Sequence, residues 1–169
     1  LGSGLRRVRC GGGLREGRGE IALRKAIEAV ASQKTAPVVE ISSRVTLSAG
    51  SISGEVTDSL SRLGVDRLDS VWIDGAELRL MQLSGRREAL GGELEECFVE
   101  LEVLRRSGKI GGYEVASSLW KTPEEDDKRA LSLDDVCGAA LRATNGEGEC
   151  GLLGVQMPLN ILEPWSLDV

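Results

Sequence analysis

The chain of 169 residues contains no histidine. Histidine is the side chain that most often transfers protons near neutral pH, because its unperturbed pKa of about 6.5 lies close to that range. Serine and cysteine nucleophiles that depend on a histidine base are therefore excluded. A metal site would have to use carboxylate or thiolate ligands alone. The missing histidine removes most familiar catalytic mechanisms, although it does not by itself make the chain inactive.

Long apolar runs and paired cysteines are also missing. No apolar run approaches the roughly 20 residues that a membrane span requires, so no membrane span is predicted. The chain has four cysteines, which are Cys10, Cys97, Cys137 and Cys150. They form no CxxC pair, which excludes the usual zinc and thioredoxin spacings. Their wide separation favours a reducing intracellular compartment, with Cys97 and Cys137 as buried free thiols.

Basic charge is scarce except near the N-terminus. Acidic residues number 27 and basic residues 21, which gives a net charge of −6 and argues against a dedicated nucleic-acid binder. Residues 1–19 are the exception, since this Gly/Arg-rich segment has five arginines and only one acidic residue, Glu16. Such a segment is typical of a solvated loop, an organelle-targeting region or a tether to a polyanion such as nucleic acid. These alternatives stay open, and a mitochondrial location is one of them, with the cytoplasm as the other.

The composition, with 41% hydrophobic and 28% charged residues, is that of one globular domain, which we assign to residues 20–169. Apolar periodicity predicts helices at 20–32, 52–63, about 87–107 and from 133 to about 145. Short β-rich runs predict strands at 37–42, 68–73, 109–116 and 152–157, apolar on both faces. No strand is predicted before the glycines at 11–13, which we expect to form a loop. Strands that alternate with helices indicate a parallel α/β sheet, either doubly wound or part of a (β/α)8 barrel.

Four segments favour the barrel, because they resemble, in order, motifs of the aldo-keto reductase family. They are residues 19–27 (GEIALRKAI), 59–74 (SLSRLGVDRLDSVWID), 93–117 (ELEECFVELEVLRRSGKIGGYEVAS) and 154–163 (GVQMPLNILE). The resemblance covers residues 9–163 and implies a partial (β/α)8 TIM-type barrel. A complete barrel needs about 250 residues, so the chain is expected to be a truncated, degenerate member of the family.

The resemblance also implies which residues stand at the catalytic positions. Active members use an Asp, a Tyr, a Lys and a His to reduce carbonyls with a nicotinamide cofactor. Those positions fall here on Arg9, Leu14, Arg44 and Asp74, respectively. Neither Leu14 nor an ionised Asp74 can supply the proton that a developing alkoxide needs, and arginine is a poor proton relay. We therefore expect no catalytic residue and no enzymatic activity.

Cofactor binding is expected to be lost as well. The family's Ser-Asn pair, which holds the carboxamide of nicotinamide, appears as Ala116 and Ser117, whereas Gln156, a third partner of that amide, is kept. The phosphate and adenosine contacts come from segments after the sixth strand, which this sequence lacks. We expect no cofactor, no metal and no small-molecule substrate.

These inferences predict a non-catalytic structural or accessory subunit whose partners are other protein subunits of a larger assembly. A shortened barrel would leave open strand edges and an apolar interior, which a partner subunit, another copy or further parts of the chain would have to cover. Trp120 and Trp165 lie in or near loops and are candidate interface anchors, whereas Trp72 lies within a strand and is expected in the core.

Two alternatives remain. Residues 68–71 (LDSV) resemble a strand of the modifier subunit of glutamate–cysteine ligase, an aldo-keto-reductase-like protein without reductase activity, which suggests a regulatory subunit of an enzyme. The other alternative is an NADPH-dependent oxidoreductase.

Overall fold

The structure is a computed structural model that describes residues 7–11, 17–31, 39–47, 51–120, 130–146 and 149–158. Within these residues, five strands alternate with helices. The strands are β1 (Arg7–Gly11), β2 (Glu40–Thr46), β3 (Ser70–Asp74), β4 (Tyr113–Ala116) and β5 (Leu152–Gln156). The helices are α1 (Arg18–Ala31), α2 (Ile52–Leu63), α3 (Ala76–Gln82), α4 (Arg87–Arg106) and α5 (Leu133–Ala143). None of these helices is long and apolar enough to cross a membrane.

The strands form one parallel sheet in the order β1-β2-β3-β4-β5. Each strand pairs with the next one along the chain, and a helical connection lies between them. Such consecutive parallel βαβ units are the building pattern of a (β/α)8 barrel. The predicted partial barrel is therefore confirmed, with five strands in the described part of the chain.

Two elements of the described structure were not predicted at all. Residues 7–11, expected as part of a glycine-rich loop, form β1 and pair with β2 from Arg7↔Glu40 to Gly11↔Arg44. The prediction failed because β1 has little apolar patterning of its own and is held by its neighbour. Helix α3 was not predicted, since its seven residues are too few to show a clear period.

Helix α2 has the predicted bounds because local signals mark both ends. Ser51 precedes the helix, and its hydroxyl accepts the backbone N–H of Gly54 at 3.2 Å. Gly64 ends the helix in the left-handed region (φ 68°), where its N–H bonds the carbonyl of Leu60. The apolar residues between them face the sheet and α4.

The hydrophobic core lies between the helices and one face of the sheet. Val45, Val71 and Ile73 on that face have no exposed surface. Phe98 of α4 stacks on Tyr113 of β4 with ring centroids 5.0 Å apart. The opposite face of the sheet carries mostly polar side chains, so the expectation of strands that are apolar on both faces is wrong.

The two helical cysteines differ. Cys97 of α4 is buried, as expected, and burial raises the pKa of its thiol. Cys137 of α5 is exposed, so its predicted burial is wrong. Leu141, one turn further along the same side of α5, is 63% exposed as well.

A buried carboxylate ties α4 to the start of β5. Glu102 Oε1 accepts the Tyr113 hydroxyl at 3.1 Å and the backbone N–H of Gly151 at 2.7 Å. Glu102 Oε2 pairs with Arg105 Nε at 2.8 Å, and Arg105 Nη2 donates to the Glu149 carbonyl at 2.7 Å. Burial alone would raise the pKa of Glu102, but the hydrogen bonds from Gly151, Arg105 and Tyr113 outweigh it and hold that pKa below its usual range.

We predict that Glu102→Gln lowers the free energy of unfolding at neutral pH by about 1–3 kcal/mol, because the charged hydrogen bonds to Arg105 and Gly151 weaken. The pKa of Glu102 is lower in the folded chain than the unfolded value of about 4.3, so its contribution is present above that pH. It is lost as the pH falls through the folded-state pKa. In urea titrations the wild type should therefore lose more stability than the variant on acidification. Glu96→Gln, at an exposed position of the same helix, is the control; equal losses would contradict the prediction.

Candidate functional site

The face of the sheet turned away from the helices is polar and charged. Because side chains alternate along a strand, the register places Arg9, Ser42 and Ser70 in one row across β1, β2 and β3. The next row on this face contains Arg44 and Trp72. We call this surface the inner face, since it corresponds to the inside of a barrel.

Glu114 of β4 is the centre of the inner face. Its carboxylate accepts Arg9 Nη2 at 3.0 Å and Gln156 Nε2 at 2.7 Å, both at Oε2. The other oxygen accepts the Ser70 hydroxyl at 3.3 Å and has Arg7 Nη1 at 3.8 Å. Glu114 is only 7% exposed, so these donors replace the water that a charged group requires.

A second ion pair lies at the carboxyl ends of β2 and β3. Arg44 Nη1 is 3.0 Å from Asp74 Oδ2, and Asp74 Oδ1 accepts the backbone N–H of Gly75 at 2.9 Å. Gly11 of β1 lies beside Arg44, and a Cβ there would come within 2.7 Å of the Arg44 Cβ. The missing side chain at residue 11 therefore leaves room for Arg44. In barrels built from parallel strands, functional residues gather at this edge.

Three of the four expected catalytic positions lie within the described residues. Arg44 and Asp74 are brought together as a pair, and Arg9 lies deeper on the same face, bound to Glu114. Leu14 lies outside the described residues. Whether these substitutions abolish activity stays a prediction.

The positions expected to meet a nicotinamide amide are occupied by internal contacts. Ala116 has no polar side-chain atom. The Ser117 hydroxyl donates to the Leu119 carbonyl at 3.1 Å and accepts the Leu119 N–H at 3.0 Å, which closes a local turn. The Gln156 amide N–H₂ donates to Glu114.

Tyr113, the sole tyrosine, lies on the opposite side of the sheet from Arg44 and Asp74. It is fully buried against the helices, where its hydroxyl donates to Glu102. Burial and the neighbouring Cys150 and Glu102 raise its pKa. A proton donor at the strand ends therefore cannot come from a tyrosine of this chain unless the fold changes.

The two described tryptophans differ from expectation in how far they are buried. Trp120 is only 2% exposed, and its indole N–H donates to the Gln156 carbonyl at 3.0 Å. The Trp120 side chain is therefore packed onto the sheet and not exposed, and a role of Trp120 at an interface stays a prediction. Trp72 is half-buried on the inner face, and its Nε1 has no hydrogen-bond partner in the described structure. Trp165 lies outside the described residues.

Sequence reasoning missed the role of Glu114. Its signal was a charged residue in the middle of the short strand YEVA, a position that is costly unless partners are present. The partners come from strands distant in sequence, so the signal could locate the charge and not its contacts.

Comparison with known proteins shows the fold. No protein-family model and no curated protein matches the chain. A glycerol dehydrogenase from Gluconobacter oxydans superposes with a TM-score of 0.61 at 19% identity, over 98% of this chain and 45% of that one. An aldo-keto reductase from Bacillus halodurans gives 0.58 at 16% identity, over 96% and 48% of the two chains. A thermostable aldo-keto reductase gives 0.57 at 16% identity, over 95% and 47%.

The chain therefore has an aldo-keto-reductase-like fold. It spans less than half the length of each of these three structures. The sequence identities are too low to transfer an activity, since proteins of one fold host many functions.

We predict that Glu114→Gln destabilises the chain by about 1–3 kcal/mol, because the two arginines lose the charge that they share. Urea unfolding measures this. The control is Glu40→Gln, which alters only the exposed pair with Arg7 (2.8 Å) and should cost less than about 1 kcal/mol. Equal effects of the two changes would show that Glu114 is not the centre of the inner face.

Proposed function

We propose that this chain is a non-catalytic, aldo-keto-reductase-like protein that acts as a structural or accessory subunit of a larger protein assembly. The observation that carries the proposal is the ion pair between Arg44 and Asp74. These residues stand where the family resemblance puts a Lys and a His, and here they bind each other.

Reduction of a carbonyl needs a group that donates a proton to the developing alkoxide. A guanidinium group is a poor proton relay, so Arg44 is a poor replacement for the family's Lys. Both oxygens of Asp74 are acceptors, one for Arg44 and one for the Gly75 N–H. Arg44 and Asp74 therefore neutralise each other, and in our proposal neither of them donates a proton to an alkoxide.

Cofactor binding is disfavoured by the same kind of internal pairing. Ser117 is engaged with Leu119, and the Gln156 amide donates to Glu114. A nicotinamide amide would have to displace these contacts. In our proposal the inner face therefore stabilises the sheet, and partners bind elsewhere on the chain.

We place the contacts with a partner at the sheet edges and not at the interior. We expected an open apolar interior that requires a cover, but the observed inner face is polar. Within the described residues, β1 and β5 each pair with only one strand, so each has an edge at which a further strand can add. A mitochondrial location stays a prediction, and Arg7 and Arg9, two of the arginines on which it rested, belong to β1.

We expect the purified protein to show no NADPH consumption above the buffer rate with a panel of aldehydes and ketones. NADPH should not change its tryptophan fluorescence either. Arg44→Ala and Asp74→Asn serve as matched variants, each of which breaks the same ion pair. NADPH-dependent reduction that falls in both variants would overturn the non-catalytic part of the proposal.

The assembly is tested by native size separation of gently lysed cells, followed by mass spectrometry. The protein should migrate with a large complex and identify its other subunits there. Migration as a free monomer or dimer would count against a role as a subunit, whatever the result of the activity assay.

A further inference from the structure

Strand β1 buries little apolar side-chain surface. Its Val8 and Cys10 are only half-buried, and Arg7 and Arg9 are exposed. On the neighbouring strand β2, by contrast, Val45 has no exposed surface. In the described sheet β1 also pairs with β2 alone. Because burial of apolar surface is the dominant stabilising force in folding, β1 is attached less firmly than the strands between it and β5.

Ion pairs supply part of the remaining attachment of β1, beside its backbone pairing with β2. Arg7 Nε lies 2.8 Å from Glu40 Oε2, and Arg9 Nη2 lies 3.0 Å from Glu114 Oε2. The side chains of the two arginines are 50% and 38% exposed, so salt in the solvent can screen them. The screening length is about 8 Å at physiological salt and shortens as salt is added. The hold on β1 is therefore expected to weaken with salt, unlike that on the apolar core.

Helix α1, which follows β1 in the chain, has an anchor of its own. Glu20, in the first turn of α1, has no exposed surface. Its carboxylate accepts the Ser43 hydroxyl of β2 at 2.8 Å and the Arg62 Nε–H of α2. None of these three residues belongs to β1. The contacts of Glu20 can therefore hold α1 in place when β1 leaves the sheet.

We infer that β1 is a detachable strap, which opens as a unit while α1 and the other strands keep their positions. Elements with few buried apolar contacts open more readily than the core of a fold. Opening uncovers the edge of β2 from Glu40 to Arg44, where a strand of another protein can pair instead. It also returns water to the Glu114 carboxylate, which offsets part of the loss of its arginines. The inference does not rest on the proposed function.

The cysteines of the chain supply a reporter for the strap and its controls. The Cys10 thiol of β1 donates to the Ser42 carbonyl at 3.4 Å, and burial raises its pKa to about 11, so the closed strap should react slowly with an alkylating reagent. Cys97 is buried in α4 and reports unfolding of the whole chain. Cys137 is exposed and reports the reactivity of the reagent itself.

The test treats the full protein with iodoacetamide at neutral pH and measures the labelling of each cysteine by mass spectrometry. Between about 0.05 M and 0.5 M salt, we expect the labelling of Cys10 relative to Cys137 to rise severalfold while Cys97 stays protected. Equal rates for Cys10 and Cys97 would show that the chain opens only as a whole. A Cys10 rate that salt does not change would show that charge does not hold β1. Either result overturns the inference.

A substitution tests the ion pair directly. Glu114→Gln should raise the labelling of Cys10 severalfold at low salt and reduce its response to salt. Glu114 lies on the opposite face of the sheet from Cys10, so the change leaves the surroundings of the thiol intact. Glu40→Gln, which alters only an exposed pair, is the control and should have a smaller effect.

Arg9→Gln breaks the same pair from the side of β1. It replaces Glu114→Gln if circular dichroism shows that the first variant does not fold. Labelling of Cys10 at the wild-type rate in the folded variants would show that the pair does not hold the strap, and would overturn the inference.

Discussion

Charge pairing around the Glu114 carboxylate couples all five strands of the sheet. The donors are Arg7 and Arg9 of β1, Ser70 of β3 and Gln156 of β5, and the Ser42 hydroxyl of β2 lies 2.7 Å from that of Ser70. A charge this deeply buried is tolerated only when its partners are in place, so the network favours one register of the strands. The inner face depends on this one carboxylate.

The two faces of the sheet are held by different forces. On the helix side, apolar side chains such as Val45 and Val115 are removed from water, and Tyr113 packs on Phe98. On the inner face, hydrogen bonds and ion pairs take that role, and an open sheet can keep such a surface in contact with water. Short apolar runs in the sequence led to the prediction of strands that are apolar on both faces, although the inner face is polar.

The position of the candidate site and its chemistry are separate questions. Arg44 and Asp74 lie at the edge of the sheet where barrels of this kind place functional residues, yet they neutralise each other. The fold likeness to oxidoreductases therefore says where a site would lie and not what it does.

Local signals in the sequence determined the elements whose ends and faces depend on neighbouring residues alone. Ser51 and Gly64 bound α2, and the long apolar face of α4 was visible as a helical period. Strand β1, the role of Glu114 and the burial of Trp120 were decided only in the tertiary structure. Each of them depends on contacts between residues far apart in the chain, such as Arg9 with Glu114 and Trp120 with Gln156. Helical periodicity reports which side of a segment is apolar, whereas the partner of a buried charge is chosen by how the strands align.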